Sequence, residues 1–253
     1  MVKFINTRER EKEILDLVIK SYIREPRPIS SGYLCDKYNL PYSSATVRNI
    51  MEVLEKRGFL SHIHTSSGRV PTKKGFKYYV ARLKEEDFIK EEYTVTLQLS
   101  YAITDTEGVI NRTLDTLAQV SGYTSLVAIS GKDKKIMFKG ARFILEQPEF
   151  EDIERLKNLF YTLEVKIGQL QHLLFNYLDE KVRILIGEET GLQGISDCAL
   201  LISGSKDKRL TFSLGLLGPV RMDYIKAASC LYFIKKQFKR LIKEFLWRRK
   251  KRN

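Results

Sequence analysis

The sequence predicts an α+β protein in two parts, a small winged helix-turn-helix followed by a larger mixed domain. Three observations carry this. The stretch Ser43-Ser44-Ala45-Thr46-Val47-Arg48-Asn49 reads as the opening of a helix with a polar, cationic outer face. A short alternating run, a polar turn and another helix start come directly after that helix. The second half then mixes amphipathic helical runs with short apolar runs, the pattern of helices flanking an antiparallel sheet.

Composition bounds the possibilities. The chain has 253 residues, 43% apolar and 30% charged, enough to build one large core or two ordinary ones. No run approaches a membrane span, and the N-terminus has no signal-peptide core. Cys35, Cys198 and Cys230 are an odd, scattered set, so a reducing cytoplasm is expected rather than a disulfide framework. The formal charge of +13 points to a polyanionic partner, nucleic acid first and an anionic membrane surface second. Residues 235–252 hold ten Lys or Arg against Glu244 alone, so much of that charge sits in the tail.

The first helix runs from Thr7 to Arg24. Thr7 caps it, Glu9 and Glu11 favour its N-terminus, and Ile14, Leu15, Val18, Ile19 and Tyr22 form one face. Pro26 and Pro28 end it. Ser30 or Ser31 starts a second short helix with Leu34 and Tyr38 inward, and Cys35 is expected in the core. Asn39-Leu40-Pro41-Tyr42 is a turn, and Ser43 caps the third helix. Ala45, Val47, Ile50, Met51 and Leu54 are its apolar stripe, Ser44, Arg48 and Asn49 its outer face, and Gly58 its stop. Short polar, amide and guanidinium groups are the types that contact phosphates and base edges in a major groove. Three helices with a short link between the second and third match a helix-turn-helix.

Phe59 to His64 alternates enough to be a strand, and Thr65-Ser66-Ser67-Gly68-Arg69 is a tight polar turn. Val70-Pro71 leads out of it, and Thr72 caps a helix through Gly75, Phe76, Tyr78, Tyr79 and Leu83. A helix-turn-helix followed by such a ribbon is a winged helix. Its tip would offer Ser, Thr and an outward Arg69 to a phosphate backbone or minor groove, with Gly68 in a conformation that other residues resist. The candidate DNA contacts are Ser31, Tyr42, Ser43, Ser44, Thr46, Arg48 and Asn49 around the helices, His64, Thr65, Ser66, Ser67, Gly68 and Arg69 in the ribbon, and Lys73 and Lys74 beyond it. An ordinary solvated face accounts for lysines taken singly about as well.

In the second part, Glu85 to Glu92 fits a charged linker or a continuation of the preceding helix, and Val95, Leu97 and Leu99 fit either a strand or a helix face. Thr106 to Val120 is an amphipathic helix with Val109, Ile110, Leu114 and Leu117 inward. Ser125 to Ile129 and Lys135 to Phe138 form a hairpin. Phe150 to Tyr177 is helical with a break near Glu164 to Gly168. Strands fit Val182 to Ile186, Cys198 to Ser203 and Leu210 to Leu217. A final helix runs from Tyr224 to about Trp247. Its apolar stripe is Phe233, Ile234, Phe238, Leu241, Ile242 and Phe245, with Lys235, Lys236, Lys239, Arg240 and Lys243 on the remaining, solvated face.

The residues Ser44-Ala45-Thr46-Val47-Arg48-Asn49, Gly68-Arg69-Val70-Pro71-Thr72, Lys74-Gly75 and Tyr78-Tyr79-Val80 resemble the signature of the HrcA heat-inducible transcription repressors. The second half is similar to the same family at Leu145 to Phe150, Val182 to Ile184 with Ile186 to Glu189, and Leu217 to Tyr224. The resemblance implies a bacterial repressor that binds an inverted-repeat operator in double-stranded DNA upstream of chaperone genes. It further implies a homodimer, a GAF-like second domain and modulation by the GroEL chaperonin. The expected divisions are then 1–84 for the winged helix, 85–104 for a linker, 105–247 for the GAF-like domain and 248–253 for a basic tail. Two positions depart from the family pattern. Gly32 stands where a Lys is usual, and Ile50 where an acidic residue is usual. The chain is also short, because Ile136 to Gly140 runs almost directly into Leu145, where the family usually inserts a dimerisation segment.

No catalytic constellation is visible. His62, His64 and His172 are separated, no Cys/His spacing suggests a metal, and the glycines around Gly187 to Gly194 lack a phosphate-loop pattern. The expectation is a DNA-binding repressor of the cytoplasm and nucleoid, not an enzyme and without cofactor. Its alternative is an RNA- or membrane-surface-binding module acting through the basic tail.

Overall fold

The computed structural model describes residues 7–63, 68–89, 105–130, 134–206 and 210–252, and the side chains of these except at 134 and 245–252. The chain divides into two compact units, Met1–Leu83 and Lys84–Asn253.

In the first unit, α1 (Thr7–Arg24) follows the predicted bounds. Ile14, Leu15, Val18 and Ile19 are buried at the spacing of one helix face. Ser30 caps α2 (Ser31–Tyr38) by accepting from the Tyr33 NH. Asn39, in a left-handed conformation, ends it. Ser43 then caps α3 (Ser44–Lys56) by accepting from the Thr46 NH at 3.2 Å. Arg57 and Gly58 close α3. The NH of Gly58 (φ 74°) donates to the Glu55 carbonyl and that of Phe59 to the Leu54 carbonyl, a Schellman stop.

The ribbon after α3 is shorter than its sequence pattern. Only β1 (Leu60–Ser61) and β2 (Val70–Pro71) pair, antiparallel. A third segment, marked by no local pattern, joins them, where Ile29 and Arg69 exchange both backbone hydrogen bonds at 2.8 and 2.9 Å. Gly68 lies against this bridge. Its φ is not positive; a Cβ there would come within 2.4 Å of the Ile29 carbonyl group, so the glycine is required by close approach rather than by an unusual conformation. Thr72 caps α4 (Lys73–Val80), which stops three residues before the expected Leu83.

In the second unit, residues 85–89 are not an open linker. They form α5 (Glu85–Ile89), whose Phe88 is buried and accepts at its carbonyl from the Ser229 hydroxyl. Residues 90–104, with Val95, Leu97 and Leu99, lie outside the described residues. The helix α6 (Thr106–Ser121) buries all four predicted inward residues.

Five strands make one antiparallel sheet: β3 (Thr124–Ser130), β4 (Lys134–Lys139), β5 (Arg183–Ile186), β6 (Cys198–Lys206) and β7 (Thr211–Pro219), in the order β4-β3-β7-β6-β5. Successive side chains of a strand face opposite ways. Leu126, Ala128, Leu200, Ile202 and Leu217 therefore meet Leu159, Leu163, Leu170 and Leu174 of α8 (Ile153–Glu164) and α9 (Ile167–Phe175). The opposite face is covered by α6 and α10 (Tyr224–Arg252), with Phe212 edge-on to Phe238 at 4.9 Å. With both faces covered, β6 and β7 read as nearly unbroken apolar runs. The α+β class and the sheet are consistent with a GAF-like domain. Between β4 and α7 (Arg142–Leu145) the chain spends only Gly140 and Ala141.

Lys235 corrects the solvated-face expectation for α10. It is buried, and its ammonium donates to the Glu180 carbonyl at 2.5 Å and the Ser203 hydroxyl at 2.7 Å, with the Glu180 carboxylate at 3.0 Å. Fully satisfied donors make this burial tolerable. Helical structure also continues through the basic tail to Arg252. Among the described residues, no helix is long and apolar enough to cross a membrane.

Candidate nucleic-acid interface

The candidate interface is built on α3. Val47, Met51 and Leu54 are buried and fix the helix in the core, with Ile50 half-buried beside them. At about 100° per residue, Ala45 lies about 160° around the helix from Val47. It is exposed, which corrects its assignment to the apolar stripe. Ala45 therefore joins Ser44, Arg48 and Asn49 on the outer face, and counting the helical angle would have found it. A small apolar side chain there has the chemistry to meet a thymine methyl.

The N-terminal end of α3 and the start of α2 are joined side by side. The Ser31 and Ser44 hydroxyls are 2.9 Å apart, and those of Ser43 and Thr46 also 2.9 Å apart. Gly32 belongs to the same patch, since a Cβ on it would sit 4.0 Å from the Ser44 hydroxyl oxygen. Tyr42 is half-buried, donates to Glu13 at 3.3 Å and lies under the Arg10 guanidinium at 5.3 Å. Burial first, then the Glu13 charge, push the Tyr42 phenol above its usual range, so it stays a neutral donor. Arg48 is 72% exposed, and its partner Glu52 lies at 3.5 Å one turn on.

Other predicted contacts are placed differently. Arg69 does not point outward. Its side chain is 18% exposed and donates to the Glu55 carboxylate at 2.6 Å, while His62 meets the other oxygen of the same carboxylate. Burial alone would raise the Glu55 carboxyl, but hydrogen bonds from His62 and Arg69 outweigh it and hold it below its usual value. The helix α3 thus brings an acid to the ribbon, and sequence spacing gave no view of that pairing. Lys74 sits at the far end of α3, where its ammonium donates to the Arg57 carbonyl at 2.8 Å and lies 4.9 Å over the Phe59 ring. That is a cation at a helix C-terminus, about 20 Å along the axis from Ser44. Lys73 is half-buried at the start of α4. His64, Thr65, Ser66 and Ser67 lie outside the described residues. Cys35 is half-buried rather than fully inside, its thiol 3.6 Å from the Tyr42 carbonyl.

The second unit brings two of the quoted motifs together. Arg221 forks onto Glu149 at 2.5 and 3.2 Å and onto the Gln147 side-chain oxygen at 2.9 Å. Tyr123, half-buried and raised in pKa chiefly by desolvation, accepts from the Asp223 NH at 2.8 Å. Glu189 reaches back to the Ile186 NH at 2.8 Å. The Tyr123 and Glu189 contacts hold backbone, and the Arg221 fork joins side chains of two segments. Among the described residues, no group of three or more His, Cys, Asp or Glu is placed to hold a metal ion.

Residues 128–227 match the family described as HrcA protein C terminal domain. The heat-inducible transcription repressor HrcA of Desulforamulus reducens is 25% identical over 339 aligned positions, covering 94% of this chain and 98% of that protein. That of Bacillus pumilus is 25% identical, covering 90% and 95%. Because 339 positions are aligned against a 253-residue chain, at least 86 of them have no counterpart here. A solved crystal structure of a hypothetical protein shares the fold at a TM-score of 0.75 and 17% identity, covering 94% of this chain and 99% of that one. The relatives are named as transcription repressors, a role with no catalytic step. The family match inside the second unit and the relatives that run through both units agree, so the chain is similar to HrcA proteins along both units.

Proposed function

We propose that this chain is a transcription repressor of heat-shock genes that binds an inverted-repeat operator as a homodimer. In this reading the first unit is a winged helix-turn-helix and α3 enters the major groove. The observation that carries it is the outer face of α3: Ser44, Ala45, Arg48 and Asn49 are exposed together, while Val47, Met51 and Leu54 lock the opposite face. A rigid helix with small groups flanking a guanidinium and an amide suits direct reading of base edges. Ser31, Tyr42, Ser43 and Thr46 border its N-terminal end, where short polar groups and free backbone NH groups favour phosphates. Arg69, held by Glu55, serves the ribbon's base in this reading, and any backbone contact by the ribbon falls to residues nearer its tip.

The family resemblance extends the proposal to relief of repression under stress, modulation by the GroEL chaperonin and residence in the bacterial cytoplasm. The test is a footprint on the protein's own genome at stated salt. Protected inverted repeats upstream of chaperone genes are the expected result. Uniform protection without preferred sites would overturn the reading.

A further inference from the structure

The basic end of α10 is left unused by the repressor reading. The body of the second unit, residues 84–234, carries 18 Lys or Arg against 22 Asp or Glu. Residues 235–252 carry ten against one. The positive charge of this unit is therefore concentrated on one helix attached to an acidic body.

The structure makes this more than a run of charge. Because α10 is continuous to Arg252, residues 236, 240, 243, 247, 250 and 251 recur at helical spacing within about 100° of arc. Five of them are Lys or Arg, and the sixth is Trp247. Lys236, Arg240 and Lys243 are exposed. Lys235 and Lys239 stand apart from this stripe, both committed to Glu180. The apolar side of the helix is already occupied, since Ile234, Phe238, Leu241 and Ile242 are buried in the unit's own core. A membrane-surface helix needs that side for lipid, so the geometry disfavours an anionic bilayer. Duplex DNA fits better. The stripe is about 22 Å long by helix rise, and a duplex presents about a dozen phosphate charges over that length.

We infer that the stripe Lys236, Arg240, Lys243, Lys250 and Lys251 of α10 is a second DNA contact, binding the phosphate backbone without reading sequence. It rests on the repressor reading, because a duplex held by α3 is tethered to the same chain as α10, which raises its effective concentration for that helix.

The test uses full-length protein with all five residues changed to Gln, which keeps helix propensity. Binding to the footprinted duplex and to a random duplex is followed by fluorescence anisotropy across a KCl series. A control variant changes Lys135, Lys157, Lys166, Lys181 and Lys226 to Gln, giving the same loss of charge on the body. Each lost phosphate contact removes about 0.9 from the slope of log affinity against log salt. The stripe variant should flatten the slope by about 2–4, with equal fold losses on both duplexes, and the control should not. An unchanged slope, an equal change in the control, or a stripe variant that loses only self-association in sedimentation would overturn the inference. If the unaltered protein shows no preference for the footprinted duplex, the repressor reading fails separately, and the random-duplex slopes still decide the stripe.

Discussion

Replacing Arg48 with Ala separates folding from reading. The side chain is 72% exposed, and its partner is Glu52, itself 42% exposed, at 3.5 Å in an i,i+4 pair. Such a pair contributes about 0.3–0.5 kcal/mol at most. Ala is also the better helix former. The folded state should therefore shift by less than about 0.5 kcal/mol, leaving the urea midpoint nearly unchanged. Binding is different. A bidentate contact from Arg48 to a base edge contributes about 1–3 kcal/mol of discrimination, which is roughly 5- to 150-fold. Anisotropy titrations of Arg48→Ala against the footprinted operator and a random duplex at one salt concentration should show that loss on the operator and little on the random sequence. Equal losses on both would make Arg48 a phosphate anchor and refute its role as a base reader. A large drop in the urea midpoint would refute the claim that its helix is held from the opposite face.

Ser43→Ala removes the cap of α3 and should cost about 1 kcal/mol in urea unfolding. Lys235→Ala strands the Ser203 hydroxyl and the Glu180 carbonyl and should cost about 2–4 kcal/mol; Lys235→Met, which keeps the stem, should cost clearly less. Burial would raise the Glu180 carboxyl, but Lys239 and Lys235 override it and lower it from 4.5 to about 2. The unfolded chain then takes up that proton first as the solution is acidified. Its stabilisation is present above about pH 4.5 and lost between there and pH 2, and Glu180→Gln should flatten the unfolding curve in that window. Sedimentation equilibrium of the free protein at micromolar concentration should give the mass of two chains. The mass of one, with one-to-one binding to a full inverted repeat, would sink the homodimer.

Elements with strong periodicity were legible in the sequence. The bounds of α1 and the caps Ser43 and Thr72 follow from apolar spacing and from residue types that bond their own backbone. The hairpin β3–β4, the break between α8 and α9 and the strands β5 to β7 were legible for the same reason. What was hidden depends on contacts distant in sequence. Ile29 joins the ribbon through a partner 40 positions away, and no local pattern marks it. Arg69 turns inward because Glu55 of α3 faces the ribbon. Lys235 is buried because the Glu180 carbonyl and Ser203 hydroxyl supply partners on other elements. A charged residue in a charged run reads as solvated unless its partner is known. Ala45 was a different kind of miss, an angular one that the helical repeat already contained.

The two motifs of the second unit that carried the family resemblance turn out to face each other. Leu145 to Phe150 and Leu217 to Tyr224 are joined by the fork of Arg221 on Glu149 and Gln147, with Arg221 only 12% exposed. A guanidinium committed to a carboxylate and an amide has few donors left for a ligand. Asp223 is likewise tied through its NH to Tyr123 and caps the Lys226 NH with its side chain at 3.1 Å. These residues brace the turn from β7 into α10 against the segment after α7. The brace lies just beyond the two-residue connection Gly140-Ala141, so the segment is fixed without any longer insertion between β4 and α7. The second unit's recognisable residues thus account for its architecture, while the residues proposed to touch DNA sit on α3 and on the basic stripe of α10. A repressor assembled in the proposed way would separate the residues that carry the family resemblance from those that touch DNA.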